Sequence, residues 1–214
     1  MKLSSSGRKP HYRWRELACF PREDRGVAAV EFALILPILV AVYLGLNQVQ
    51  VGYSIKQKLN SATRAVADLS TREASFDSDG LAKVFAAAGA IMRPYTYPDT
   101  QIVISSITVT ANGDNVTGKV AWSCKSGASS GGDRLDKKTK EDPYTVPEGF
   151  KNLDSAGKPV MKSFIVVETR YPYTPTIGEA ITGTIQLNDR LEWPVRDADK
   201  VDYKSTSTTM DCSV

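Results

Sequence analysis

Arg25-Gly26-Val27-Ala28-Ala29-Val30-Glu31-Phe32-Ala33-Leu34-Ile35-Leu36-Pro37-Ile38-Leu39-Val40-Ala41-Val42-Tyr43-Leu44-Gly45-Leu46 is the stretch that decides how the rest of the chain is read. From Val27 to Leu46 it is apolar apart from one carboxylate, Glu31. As a helix rising about 1.5 Å per residue, such a run spans a hydrocarbon core of about 30 Å. A secretory signal peptide is one alternative, but its apolar region is shorter and a small-residue cleavage site should follow, which this run lacks. A buried core helix is the other, yet a soluble domain of this size rarely holds a helix apolar on every face. The run is expected to be a membrane-spanning helix.

Charge gives the span a direction. The chain has 27 Lys and Arg against 24 Asp and Glu. Residues 1–25 hold Lys2, Arg8, Lys9, Arg13, Arg15, Arg22 and Arg25 against Glu16, Glu23 and Asp24, so the remainder is close to neutral. A basic excess before a span places that end in the cytoplasm, and the body of the protein outside the membrane. A nucleic-acid-binding arm is the competing reading of the basic leader, but the span already accounts for where the charge sits.

Glu31 is the second clue. A carboxylate within a span costs at least ~2.5 kcal/mol on insertion scales and by default marks a functional site. The bland reading is a Glu near the headgroups, snorkelling to water. Its spacing is informative: Gly26, four apolar residues, then Glu31 and Phe32. This Gly-x4-Glu-aromatic pattern, with a basic leader before it and a span after it, resembles the type IV pilin-like families of the tight-adherence (Tad) pilus, and TadE-like pseudopilins in particular. Phe32 stands where the major pilin usually has Tyr, and Ala33-Leu34-Ile35-Leu36-Pro37 is similar to the "ALxLP" run of TadE-like proteins.

The resemblance implies cleavage by a prepilin peptidase between Gly26 and Val27. It implies a minor pilin or pseudopilin of a Tad (Flp) pilus, anchored in the bacterial cytoplasmic membrane. Its partners would be the peptidase, other pilins or pseudopilins, the inner-membrane Tad assembly platform and the lipid bilayer. After cleavage Glu31 is the fifth residue, and its carboxylate could meet the Val27 α-amine of a neighbouring subunit, so that neither charge stands unpaired in lipid. The alternative is an uncleaved single-pass membrane protein with an exported β-rich binding or sensing domain.

The rest of the sequence supplies a pilin-like layout, α+β in class. Residues 1–26 are a basic leader, 27–47 the transmembrane helix and 48–75 its extension beyond the membrane. Residues 76–214 form an exported head with a mobile loop at 125–159. Helical signals continue past the span: Ile55, Leu59, Ala62, Val66 and Leu69 recur at helical spacing among Lys56, Lys58, Asn60, Arg64 and Asp68. This stripe is a seam for a head or for other subunits. A helix from Val27 to Arg72 would be about 69 Å long, with Pro37 kinking or loosening it. A second helix is expected over Leu81, Val84, Phe85, Ala88, Ile91 and Met92, capped by Asp77, Ser78 or Asp79 and stopped at Arg93-Pro94.

From Gln101 the apolar period becomes two. Ile102, Ile104, Ile107 and Val109 lead into Asn112-Gly113-Asp114-Asn115, and a run with Val120, Trp122 and Cys124 returns, which makes a hairpin. Residues 163–173 and 182–195 read as two further strands. The polar stretch 125–159, rich in Gly, Ser and Lys, reads as a loop.

Cys124 and Cys212 lie in the exported part, where an oxidising compartment favours one disulfide between them. Two unpaired thiols are the alternative. Cys19 lies in the leader.

No enzyme is expected. The single histidine, His11, lies in the leader, and no nucleophile motif, phosphate loop or metal-ligand cluster is present. Asp77-Ser78-Asp79-Gly80 lacks the later acids of a calcium loop. Asp68-Leu69-Ser70-Thr71-Arg72 falls short of the Asp-x-Ser-x-Ser metal site of TadG-like proteins. No catalytic residue, cofactor, metal or nucleic-acid partner is therefore assigned.

Overall fold

A computed structural model describes residues 24–95, 99–113, 115–126, 135–196, 198–204 and 211–213. Most of the basic leader, with His11 and Cys19, and the glycine-serine stretch at 127–132 lie outside the described residues. The chain divides into two compact units at Leu44/Gly45.

Over its described residues, 24–44, the first unit is one run of helix. Helix α1, Asp24–Ser70, starts in it and continues into the second unit, with Pro37 inside it. It begins three residues before Val27, so Gly26 is already helical. Every apolar side chain of the span from Val27 to Val42 is exposed. Ala, Leu and Val, which fill most positions from Val27 to Leu44, favour or tolerate helix. Pro37 has no N–H to donate to the carbonyl one turn earlier, and its ring crowds the preceding turn.

The second unit is the α+β head. Its elements after α1 are β1 (Ser75–Phe76), α2 (Ser78–Met92), β2 (Gln101–Asn112), β3 (Asn115–Ser126) and β4 (Pro143–Tyr144). They continue with a 3-10 turn (Glu148–Phe150), β5 (Ser163–Tyr173), α3 (Glu179–Thr182), β6 (Ile185–Pro194), β7 (Asp202–Tyr203) and β8 (Asp211–Ser213). The main sheet is antiparallel, in the order β4-β3-β2-β5-β6, with β8 also paired to β3. A two-residue parallel pair joins β1 to β7.

Asp77 caps α2, its carboxylate accepting the Gly80 N–H at 2.7 Å. That removes one of the four amide donors that a helix start leaves unsatisfied. Gly113, at φ +61, supplies the turn between β2 and β3 that a side chain would resist.

One face of the sheet, with Ile102, Ile104, Trp122, Cys124, Ile165 and Val167, forms a core with α1 and α2. From α1 come Ile55, Leu59, Ala62, Val66 and Ala67, and from α2 Leu81, Phe85, Ala88 and Met92. The other face carries a smaller cluster: Ile107, Val109, Val120, Phe164 and Val166, covered by Tyr144, Val146 and Phe150. This explains the unbroken apolar run Phe164-Ile165-Val166-Val167, since neighbours point to opposite faces and both faces are dry.

One expectation changes. Of the stretch 125–159, Lys125 and Ser126 belong to β3, and the described residues 135–159 are not a free loop. Its Tyr144, Val146 and Phe150 seal the second face, with Val146 3% exposed. Three apolar side chains suffice to hold a polar segment in place when the sheet offers them a dry surface. In β3, Val120 and Trp122 lie on opposite faces although they are two residues apart. The register shifts between the pairs Ser106–Trp122 and Ile107–Val120, which leaves Ala121 as the extra residue of a bulge. Such a bulge sends residues two apart to opposite faces.

The end of the chain is fastened to the sheet. Cys212 lies opposite Cys124 in the β3–β8 pair and is joined to it by a disulfide, with the Cα atoms 4.1 Å apart. Upstream, the Val201 carbonyl accepts from Trp122 Nε1 at 2.7 Å and from Ser106 Oγ at 3.3 Å.

Candidate functional site

The residues expected to carry function fall on two stretches of α1, one in each unit. In the first unit Gly26, Val27, Glu31 and Phe32 occupy the opening turns of the helix. Val27 and Glu31 are four apart, hence one above the other on the same helix face. Both are exposed, as is Phe32 at 60%. The Gly26–Val27 bond lies in the first turn, where the leading N–H groups have no intrahelical acceptor. Opening the chain there to an extended form sacrifices few hydrogen bonds, and among the described residues no side chain lies within 4 Å of a Cβ placed on Gly26.

In the second unit the seam residues Ile55, Leu59, Ala62 and Val66 are at most 2% exposed, and all four face the head's own core. The seam therefore serves this chain's own head. Leu69 departs from the stripe: it is 36% exposed and lines a cleft of about 550 Å³ with Phe76, Val84 and Lys204.

Residue spacing also missed a polar position on the stripe. Thr63 is fully buried. Its hydroxyl lies 2.8 Å from the Leu59 carbonyl and 2.7 Å from Thr169 Oγ1 of β5, tying helix to sheet. A threonine amid Leu59, Ala62 and Val66 was the available sign, but its partner lies 106 residues away.

Among the described residues a polar cluster links β4, β5 and β6. The Tyr144 hydroxyl donates to Glu192 Oε1 at 2.8 Å, and Arg190 donates to the same oxygen at 2.7 Å. The Arg190 guanidinium also bonds the Tyr144 hydroxyl and lies 5.5 Å from the ring centroid. Lys138 pairs with Glu168 at 2.8 Å. Burial pushes the Tyr144 phenol well above its ordinary range, and its bond to Glu192 pushes it the same way. A phenol held protonated and bonded on both sides is a strut between strands. Nothing in the cluster pairs a nucleophile with a base. Among the described residues no group of three or more His, Cys, Asp or Glu is placed to hold a metal ion.

The stretch that the geometry singles out is thus α1: an apolar half with one carboxylate near its start, then an amphipathic half. The family model of TadE-like proteins matches residues 26–68. That segment is TadE-like. The match begins at Gly26 and ends two residues short of the end of α1, so it covers both halves of the helix. No curated protein matches the chain. No solved structure does either. The TadE-like segment contains a helix long and apolar enough to cross a membrane.

Proposed function

We propose that this chain is a minor pilin or pseudopilin that takes part in assembling a Tad-type (Flp) pilus. A prepilin peptidase trims it after Gly26. The apolar half of α1 holds it in the cytoplasmic membrane, with the leader in the cytoplasm and the head outside. The protein acts by assembly with other pilins and the inner-membrane Tad platform, without catalysis, cofactor, metal or nucleic acid.

One observation carries the reading: a TadE-like match that starts at Gly26 coincides with a helix whose large side chains from Val27 to Val42 are all exposed. Exposed Leu34, Leu36, Ile38, Leu39 and Val42 call for lipid or for the same helix of other subunits. The chemistry of Glu31 fits. Once Val27 is the amino terminus, Glu31 lies one turn in, where the helix dipole favours a negative charge. Its carboxylate is then within reach of an α-amine, its own or a neighbour's. Pairing across subunits would bring the helices into register and leave no charge alone in the bilayer.

The uncleaved-anchor reading draws on the same exposed helix and on the helical conformation at Gly26. Shearing fibres from the native host separates the two. A pilus subunit travels with the sheared fibre or with its assembly complex, and Glu31→Ala abolishes that association while the protein stays in the membrane. Undiminished association of Glu31→Ala would overturn the carboxylate's role in assembly.

A further inference from the structure

The loop between β5 and β6 is Thr174-Pro175-Thr176-Ile177-Gly178-Glu179-Ala180-Ile181-Thr182-Gly183-Thr184. It leaves three isoleucines in the open within nine residues: Ile177 at 48%, Ile181 at 90% and Ile185, the first residue of β6, at 41%. Single exposed apolar side chains are ordinary on any surface. Three on one hairpin end, with Glu179 the sole charge between Tyr173 and Asp189, are not.

The loop's place along α1 gives the exposure a meaning. Thr169 of β5 meets Thr63 at 2.7 Å, and Asp189 of β6 meets Lys56 at 3.0 Å. Further along, the Tyr173 ring lies where a Cβ on Gly52 would come within 3.2 Å of it. Its hydroxyl donates to the Gln48 carbonyl at 3.0 Å and to Gln48 Oε1 at 3.1 Å. The Thr176 N–H donates to Gln48 Oε1 at 3.2 Å. As the strand pair approaches its loop, its partners on α1 step back from Thr63 to Lys56, Gly52 and Gln48. The loop is thus held at the level of Gln48, the turn at which the apolar span gives way to polar sequence. Tyr53, 63% exposed, lies about one turn further on, and tyrosine is enriched at membrane–water interfaces.

We propose that the β5–β6 loop is a second membrane contact, inserting Ile177 and Ile181 into the headgroup and upper acyl layer of the bilayer that α1 crosses. The inference rests on the span reading of α1 and adds an occupant for a surface which that reading leaves bare. The one-turn helix α3 carries Ile181 between Gly178 and Gly183, both at positive φ, so the turn sits between two glycine corners. Apolar groups at this depth dip about 5–10 Å into the boundary layer, while Glu179 can keep its carboxylate among the headgroups. Lipid is the favoured occupant because the loop is bonded to Gln48, just after the apolar run ends in the sequence, and offers almost no charge to a polar partner.

The test uses the full chain with Cys19→Ser, its Cys124–Cys212 disulfide intact, reconstituted at one copy per phosphatidylcholine/phosphatidylglycerol nanodisc. Single cysteines at Ile181, Val40 and Val160 carry an environment-sensitive fluorophore, and nitroxide-bearing lipids are the quencher. Val160 is 64% exposed and precedes the far end of β5, roughly 33 Å along the strand from the loop. The expected result is loss of emission at Ile181 and Val40, with Ile181 quenched best by nitroxides high on the acyl chain, and no loss at Val160. Quenching at Val40 with none at Ile181 overturns the loop contact and leaves the span standing. Absence of quenching at Val40 removes the span, and the loop contact with it. A change at Ile181 that needs two copies in one disc makes a second copy the occupant and overturns the lipid assignment.

Discussion

Helix α1 holds two apolar surfaces with opposite fates. From Val27 to Val42 its large side chains remain exposed, whereas from Ile55 to Val66 the stripe Ile55, Leu59, Ala62, Val66 is shut inside the head. The difference lies in sequence pattern. The first half is apolar all round, so no single neighbour could cover it; the second is apolar on one side and polar on the other, which suits one sheet face. The same helix is therefore solvent-excluded core at one end and unfilled surface at the other, and the TadE-like match spans both.

Substituting one leucine in each half breaks or sharpens this contrast most strongly. Leu59→Ala opens a void in a closed core and is expected to cost about 2–5 kcal/mol. Leu34→Ala, in the exposed half, should change head stability by no more than about 0.5 kcal/mol. Thermal melts of the detergent-solubilised protein followed by near-UV circular dichroism report both. Equal effects would mean the two halves are not distinct.

The head's other anchor comes next. Cys124 and Cys212 close a loop with a sequence separation of 88. Removing that crosslink with Cys124→Ser and Cys212→Ser together should lower stability by about 2–5 kcal/mol. Melts with and without reductant should coincide for the double variant and differ for the parent.

Thr63→Val tests the polar rivet within the stripe. It keeps the shape but strips a partner from buried Thr169, a loss of about 1–3 kcal/mol. A Thr63→Val, Thr169→Val pair should recover part of it, since two apolar groups leave nothing unsatisfied.

The smallest expected effect depends on pH. Hydrogen bonds from Lys137 and Lys125 hold the Asp211 carboxyl below its ordinary range. A lowered folded-state value means that this contribution is fully present above the unfolded value and is lost as pH falls through the folded one. The protection factor of the Cys212 amide, its exchange rate relative to the intrinsic rate at each pH, should fall on acidification over that window. Asp211→Asn should flatten the dependence.

Much of this contrast was legible in residue order. The uniform apolarity of 27–46 and the spacing of Ile55, Leu59, Ala62 and Val66 depend on local sequence alone, and local sequence sets helix period. The β2–β3 hairpin was readable from period two, and the strand at Ser163–Tyr173 from its β-branched and aromatic apolar run, for the same reason. What escaped was set by distant partners. The bulge at Ala121 emerges only from the β2–β3 register. Val146 is covered because the far side of the sheet was empty, which a Lys- and Gly-rich stretch does not advertise. The β5–β6 loop looked like any turn until Gln48 fixed its height along α1. At the proposed processing site, sequence supplied Gly26, Val27, Glu31 and Phe32; the structure adds that Val27 and Glu31 lie one turn apart on an exposed helix.

The most direct measurement is the intact mass of the protein purified from membranes of its native host, with and without the prepilin peptidase. With the peptidase present, the account predicts a mature chain whose first residue is Val27, and in its absence a chain that keeps the basic leader. A chain that still carries Met1 in the presence of the peptidase would contradict it.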